Sequence, residues 1–96
     1  MVIAVSGDFN TDAAKFICFK VEKESVRERE CIFTPPGGKG PLIRQFIGLE
    51  IDLLITENIS SELEDALIDA GISVIKGISG VEDQILKEYL NGTLNF

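Results

Sequence analysis

The sequence predicts an α/β domain of three layers, in which a mixed five-stranded sheet of strand order 3-2-1-4-5 carries helices on both faces. Three observations predict this fold class. A chain of 96 residues has room for one domain, spanning residues 1–96. Strand and helix patterns follow one another in the order β-β-β-α-β-α-β-α. The runs at residues 1–6 and 52–56 are almost continuously apolar, which is typical of parallel strands that are buried on both faces.

The first three strands are predicted at residues 1–6, 15–21 and 26–33. Only a short turn at residues 22–25 separates the second run from the third, so these two strands should pair as an antiparallel hairpin. The third run, VRERECIF, alternates arginine and glutamate through its first half. Charges of this kind mark sheet edges, because they oppose pairing with another chain. We therefore expect the third strand at an edge.

A short helix is predicted over residues 41–47, directly after a segment rich in proline and glycine. Pro41 suits the first helical position, where its missing N–H costs no hydrogen bond, and Gly48 is suited to end the helix. Leu42 and Phe46 belong to its apolar face. The fourth strand follows at residues 52–56.

The second half of the chain contains two helices with the same kind of start and end. A capping box at residues 61–64 begins a helix that Gly71 ends in the left-handed conformation. Residues 72–76 form the fifth strand. A second capping box, at residues 79–82, begins the last helix, which ends at Gly92.

The topology follows from the hairpin and from the handedness of the crossovers. The hairpin reverses the second strand, and strand–helix–strand crossovers are right-handed by a strong preference. The simplest sheet is therefore 3-2-1-4-5 with only the second strand antiparallel. Sheets of this type bind ligands outside the carboxyl ends of their parallel strands, where the strand order reverses. We call this edge the carboxyl-end rim.

Three segments supply the residues that we expect to contact a ligand at this rim. They are Ser6, Gly7 and Asp8 after the first strand, Gly37, Gly38, Lys39 and Gly40 before the first helix, and Thr56, Glu57 and Asn58 after the fourth strand. A glycine-rich turn that enters a helix presents free N–H groups to an anion. However, PPGGKGP does not match the phosphate-binding pattern GxxxxGK[ST]. Two interpretations of this segment stay open, an anion-binding loop and a stiff corner, and Ser6-Gly7-Asp8 can equally be a plain turn.

Charge and hydropathy exclude two classes of partner. The net charge is −7, and the second half of the chain holds ten acidic side chains against two basic ones. Nucleic acid requires a concentrated basic face, which this sequence lacks. No apolar run approaches the roughly 20 residues of a membrane-spanning helix. The short apolar start has no basic leader, so we expect a cytoplasmic protein.

The residue types also limit the chemistry. The chain has no histidine, which excludes a Ser-His-Asp triad within it, and two cysteines are too few for a zinc site. Cys18 is expected in the core, whereas Cys31, late on the edge strand, is a candidate ligand for a soft metal. Asp8, Asp12 and Glu57 leave open a carboxylate-dependent hydrolase, although nothing in their spacing demands one.

Five stretches cover nearly the whole chain and are, in order, MVIAV, AKFICFKVE, GGKGPLIRQFIGLEIDLLIT, ALIDAGISVIKG and VEDQILKEYLNGTL. Through these stretches the chain resembles the dinitrogenase iron–molybdenum cofactor biosynthesis domain family. The resemblance implies a ribonuclease-H-like strand order, which agrees with the topology argued above. It also implies a small carrier, without catalytic activity, that binds an iron–molybdenum or related metal–sulfur cluster during cofactor assembly for nitrogen fixation.

The sequence departs from the family pattern in three places, one of which is the family's histidine near the glycine-rich loop, which is absent here. The family's histidine-bearing segment after the first strand is shortened here to residues 8–12 and contains no histidine. The family's Gly-Gly-Ile-Gly after the fourth strand is replaced by Glu57-Asn58-Ile59-Ser60. A cluster would then rest on backbone N–H groups, Lys39 and Cys31. We expect a non-catalytic carrier, as a monomer or homodimer. The alternative is an interaction module that has lost the cluster and acts through a protein partner or a dimer.

Overall fold

Five strands and three helices follow one another in the predicted order in the computed structural model, which describes residues 1–9 and 15–94. In chain order they are β1 (Val2–Phe9), β2 (Lys15–Glu22), β3 (Ser25–Phe33), α1 (Lys39–Gly48), β4 (Leu53–Ile59), α2 (Ser61–Asp69), β5 (Ser73–Ile75) and α3 (Glu82–Asn91). β5 is one residue shorter at each end than predicted. At its start, the N–H of Ile72 donates a hydrogen bond to the carbonyl oxygen of Leu67 at 2.9 Å. Ile72 therefore belongs to the end of α2 and not to β5.

The predicted sheet is confirmed in strand order and in direction. The order is β3-β2-β1-β4-β5. β2 pairs antiparallel with both β1 and β3, while β1 pairs parallel with β4 and β4 with β5. Only β2 therefore runs against the other strands, and the carboxyl ends of β1, β4 and β5 meet at one rim. The first residue of β2 lies at that same rim, because β2 runs away from it.

Helices cover both faces of the sheet, as predicted for a three-layer domain, with two helices on one face and one on the other. On one face α1 and α2 bury Leu42, Phe46, Leu63 and Leu67 in a core cluster shared with Ala4 of β1. On the other face α3 alone covers the second core cluster through Ile85 and Leu86. The first cluster contains a group of three phenylalanines, Phe9, Phe16 and Phe46, whose ring centroids lie 5.0–6.2 Å apart.

β3 is the edge strand, as predicted, and it is almost entirely open to solvent. Eight of its nine residues are exposed, and Ile32 is half-buried. The pairing with β2 is irregular between Lys20 and Val21, so the β3 residues next to the hairpin follow a shifted register. Lys23 and Glu24 form the turn between the two strands, with φ of 52° and 63°.

All three helices begin at residues other than the predicted ones. α1 starts at Lys39, so Pro41 is its third residue and not its first; the N–H groups of this whole first turn lack helical partners, so proline is tolerated there. Ser60, not Ser61, caps α2: its side chain accepts a hydrogen bond from the N–H of Leu63, because β4 ends only at Ile59. The capping box predicted at residues 79–82 is wrong. Gly80 has a φ of 136°, which helical backbone excludes, so α3 starts after Val81 without a side-chain cap.

The helix ends follow the prediction at two sites out of three. Gly71 and Gly92 adopt left-handed φ of 87° and 73° at the ends of α2 and α3. The expectation that Gly48 closes α1 is wrong, because α1 includes Gly48 and the left-handed residue is Glu50, with a φ of 57°. The N–H of Ile51 bonds to the carbonyl oxygen of Phe46 at 3.1 Å, and this contact holds Glu50 in that conformation.

Candidate functional site

The segments expected as loops after strands 1 and 4 are paired strand residues. β1 and β4 both continue three residues beyond their predicted ends, and they pair through Ser6–Thr56, Asp8–Asn58 and Phe9–Ile59. The interpretation of Ser6-Gly7-Asp8 as a turn, and of Thr56-Glu57-Asn58 as a loop, is therefore wrong. The reason is that the apolar Phe9 and Ile59, which lie beyond the polar residues, anchor the extended pairing in the core.

The two strands change phase where these polar residues lie. Ala4 and Phe9 lie five positions apart on β1 and pack in the same core cluster, and on β4 Leu54 belongs to that cluster while Ile59, five positions later, packs against it. Regular strands place such residues on opposite faces. The change of phase lies between Ser6 and Phe9, so Gly7 and Asp8 emerge at the surface while Phe9 returns to the core.

Ser6 and Thr56 are buried, and their hydroxyls donate hydrogen bonds to backbone carbonyls within the sheet. The Ser6 hydroxyl donates to the carbonyl oxygen of Lys15 at 3.1 Å, and the Thr56 hydroxyl donates to that of Gly7 at 3.0 Å. These hydroxyls tie β1 to β2 and β4. Gly7, Asp8, Glu57 and Asn58 are exposed at the rim. Of the predicted ligand residues in these two segments, the structure thus leaves four at the surface and puts two inside.

The glycine-rich segment enters α1 as predicted. Gly37 and Gly38 have φ of 104° and 85°, a conformation that favours glycine, and a Cβ on Gly37 would lie 3.1 Å from Pro41 Cγ. Gly38 is the N-cap and makes no side-chain capping bond. Gly40 lies within the first turn of the helix. The N–H groups at this helix start are the feature that an anion-binding loop requires.

Lys39 is engaged by a neighbouring helix. Its Nζ lies 2.8 Å from Oε1 of Glu62 on α2, and the hydrogen bond from Lys39 lowers the pKa of the Glu62 carboxyl. Both side chains are largely exposed. This contact, which links the segment to α2, is the one expected of a stiff corner between two elements.

The two cysteines differ as the sequence suggests. Cys18 is buried in the first core cluster, and burial, followed by the nearby Glu30 carboxylate, raises the pKa of its thiol. Cys31 is exposed on β3 and pairs across the hairpin with Ile17. Within residues 1–9 and 15–94, no three cysteine, aspartate or glutamate side chains lie together as a metal-ion site. Asp12, named in the hydrolase alternative, lies outside the described residues.

Two residues near the rim were missed by the sequence reasoning. Lys15 begins β2 and is exposed; it forms no ion pair with another described residue. The reversed direction of β2 was the signal that could have found it. Gln45 donates from Nε2 to the carbonyl oxygen of Phe33 at 3.0 Å, and its buried Oε1 has no hydrogen-bond partner among the described residues. Gln45 lies three residues after Leu42, on the apolar side of α1, and this position could have predicted that its side chain is buried.

Comparison with known proteins decides the family. The family model described as "Dinitrogenase iron-molybdenum cofactor" matches residues 4–92. The chain belongs to this family. A solved structure titled "Crystal structure of PH0822" superposes with a TM-score of 0.85 at 20% identity, covering 99% of this chain and 93% of that one, which shows a shared fold. No curated protein matches the chain significantly. Among the described residues no helix is long and apolar enough to cross a membrane.

Proposed function

We propose that this protein is a small non-catalytic carrier in iron–molybdenum cofactor assembly, which holds an anionic metal–sulfur cluster at the carboxyl-end rim. Family membership over residues 4–92, a range that includes every rim segment, is the observation that supports it. In this role the cluster is cargo. The protein binds, shields and passes on the cluster without changing its bonds.

The rim has donors for an anion but few ligands for a metal. Gly37 and Gly38 lead with positive φ into α1, whose first N–H groups have no helical partners and whose N-terminus is the positive end of the helix dipole. Lys15 supplies a cation that no described carboxylate neutralises. In the absence of histidine, Cys31 is the exposed thiol of the chain, because Cys18 is buried. Binding through N–H groups and lysine therefore fits these residues better than direct coordination does.

The test is anaerobic gel filtration of the purified protein with isolated iron–molybdenum cofactor, followed by metal analysis of the protein fraction. We expect molybdenum and iron to elute with the protein at a fixed ratio, and Lys15→Ala to reduce the retained molybdenum several-fold. Lys87→Ala, which removes the same charge from α3, serves as the matched control and should retain as much metal as the wild type. Protein fractions free of molybdenum would overturn the proposal.

The ion pair between Lys39 and Glu62 favours a second candidate, an interaction module that has kept the fold and lost the cluster. In this ion pair, Glu62 neutralises Lys39, the one lysine of the glycine-rich loop. At the rim, Glu57 stands where the family has a glycine, so a carboxylate takes the place of an accessible backbone. Thermal unfolding separates the two candidates. A carrier gains stability when the isolated cofactor is added. An interaction module gains none, and instead co-purifies with a protein of the cofactor assembly system.

A further inference from the structure

The outer edge of β3 pairs with no other strand among the described residues, and at its end the carbonyl oxygen of Phe33 accepts a hydrogen bond from Nε2 of Gln45 at 3.0 Å. β3 is the terminal strand of the sheet, with nine residues. Its charges, which oppose pairing with another strand, stop at Glu30. The last three residues, Cys31, Ile32 and Phe33, are uncharged, and Phe33 is 68% exposed. The edge is thus protected by charge in its first part and carries no charged side chain in its last part.

The two faces of β3 carry opposite charges in its regular part. Arg29, Cys31 and Phe33 pair across the hairpin with Phe19, Ile17 and Lys15. Because Phe19 and Ile17 pack in the core cluster under α3, this row lies on the α3 side. Glu28, Glu30 and Ile32 pair with Lys20, Cys18 and Phe16. Cys18 and Phe16 pack under α1, so the glutamates lie on the α1 side.

Symmetry restricts how two copies of this edge can pair. When two identical strands join antiparallel in one continuous sheet, the two-fold axis is perpendicular to the sheet, and each residue faces one from the same side. An axis at Glu28, Arg29 or Glu30 then sets arginine against arginine or glutamate against glutamate, which is destabilising. An axis at Cys31 sets no like charges opposite each other.

We propose that the end of β3 is a homodimer interface, in which two chains pair antiparallel about a two-fold axis at Cys31. In this register Arg29 lies opposite Phe33 of the partner subunit, and Glu30 lies opposite Ile32 of the partner subunit. The two five-stranded sheets become one sheet of ten strands.

Arg29, which would contact Phe33 of the partner subunit, is already held in position within the single chain. Arg29 donates from Nε and from a terminal nitrogen to the two carboxylate oxygens of Asp83, at 2.8 Å and 2.9 Å. These two hydrogen bonds fix the plane of the guanidinium before the second chain binds. A fixed guanidinium attracts the face of an aromatic ring, and Phe33 loses its exposure at the same time. The pairing covers few residues, so the dimer should be weak and concentration-dependent.

Sedimentation velocity over a range of protein concentrations tests the register. Phe33→Lys and Phe33→Glu remove the same aromatic ring, but lysine faces Arg29 of the partner subunit as a like charge and glutamate faces it as a counter-charge. We expect the lysine variant to stay monomeric at concentrations where the wild type and the glutamate variant dimerise. Non-specific association of a chain with net charge −7 predicts the reverse order, since lysine lowers the overall repulsion. That reverse order, or a monomeric wild type at every concentration, would overturn the proposal.

The matched controls are Ile68→Lys and Ile68→Glu on α2, where an apolar side chain is 52% exposed away from β3. Neither should change the sedimentation of the dimer. A short dimaleimide cross-linker gives a second readout, because the axis brings the two Cys31 Cα atoms to within about 4.5–5.5 Å of each other. Cross-linked dimer should form in the wild type, at a yield that rises with protein concentration, and Cys31→Ser should abolish it while Cys18 stays buried. Equal yields with and without Cys31 would contradict the proposed axis.

Discussion

Within residues 1–9 and 15–94, three residues other than glycine adopt left-handed backbone, each at a turn or a helix end. Lys23 and Glu24 form the two-residue turn between β2 and β3, where both positions need a positive φ. Glu50 ends α1 with a φ of 57°. At the equivalent position after α2, the chain uses Gly71. The left-handed backbone therefore destabilises the fold at Glu50, which carries a Cβ, but not at Gly71.

Glu50→Gly should stabilise the protein by about 1 kcal/mol, because glycine adopts the left-handed conformation without a Cβ clash. Gly71→Ala is the matched control and should lower the free energy of unfolding by about the same amount. Urea unfolding monitored by circular dichroism measures both. A Glu50→Gly variant less stable than the wild type would show that the Glu50 side chain outweighs its backbone conformation.

The Lys39–Glu62 pair is exposed at both ends, so we expect it to contribute little to the fold. Lys39→Ala should leave the urea midpoint nearly unchanged and should restore the ordinary pKa of Glu62, which the wild type holds low. A carbon-detected NMR titration of the Glu62 carboxyl measures that pKa directly. Identical Glu62 titrations in the two proteins would show that the pair does not form in solution.

Single positions decide where the secondary-structure elements begin. β4 runs on to Ile59, and this length makes Ser60 the first residue free to cap α2. The neighbouring Ser61, which the local pattern suggests equally well, is already the first helical residue. An element boundary is thus set by the length of the preceding strand, which depends on tertiary packing of Ile59 in the core.

Ser60→Ala should destabilise the protein by about 1 kcal/mol, because it removes the acceptor for the N–H of Leu63. Ser61→Ala changes the same residue type one position later and should alter stability by only a few tenths of a kcal/mol. Urea midpoints of the two variants provide the comparison. If the Ser61 variant proves the weaker one, the helix begins where the sequence pattern suggests.

β3 and α3 are joined at the surface by the pair between Arg29 and Asp83. The hydrogen bond from Arg29 lowers the pKa of the Asp83 carboxyl. A carboxyl with a pKa lower in the folded than in the unfolded chain stabilises the fold above its unfolded pKa, and this contribution is lost as the pH falls through the folded value. We therefore expect acid to weaken the wild type more than Asp83→Asn, in urea midpoints taken from neutral pH downwards. Parallel pH profiles would contradict this.

The strand order of the sheet could be predicted from few residues. The short turn at residues 22–25 required a hairpin between β2 and β3, and the right-handed preference of the two crossovers determined the positions of β4 and β5. The rim was harder to predict. Gly7-Asp8 and Glu57-Asn58 have the composition of turns, and the core contacts of Phe9 and Ile59 keep them in strands. The partner of Lys39 lies 23 residues away on another helix, so no local pattern could reveal it.

Binding of an anionic metal–sulfur cluster at the carboxyl-end rim, which we propose, can be followed residue by residue in the ¹H–¹⁵N spectrum of the labelled protein during anaerobic titration with isolated iron–molybdenum cofactor. We expect signals of Gly37, Gly38, Lys39 and Lys15 to shift or broaden first, while those of residues 47–52 at the opposite end of the sheet stay unchanged. A spectrum that does not change, or that changes only at residues 47–52, would contradict the claim.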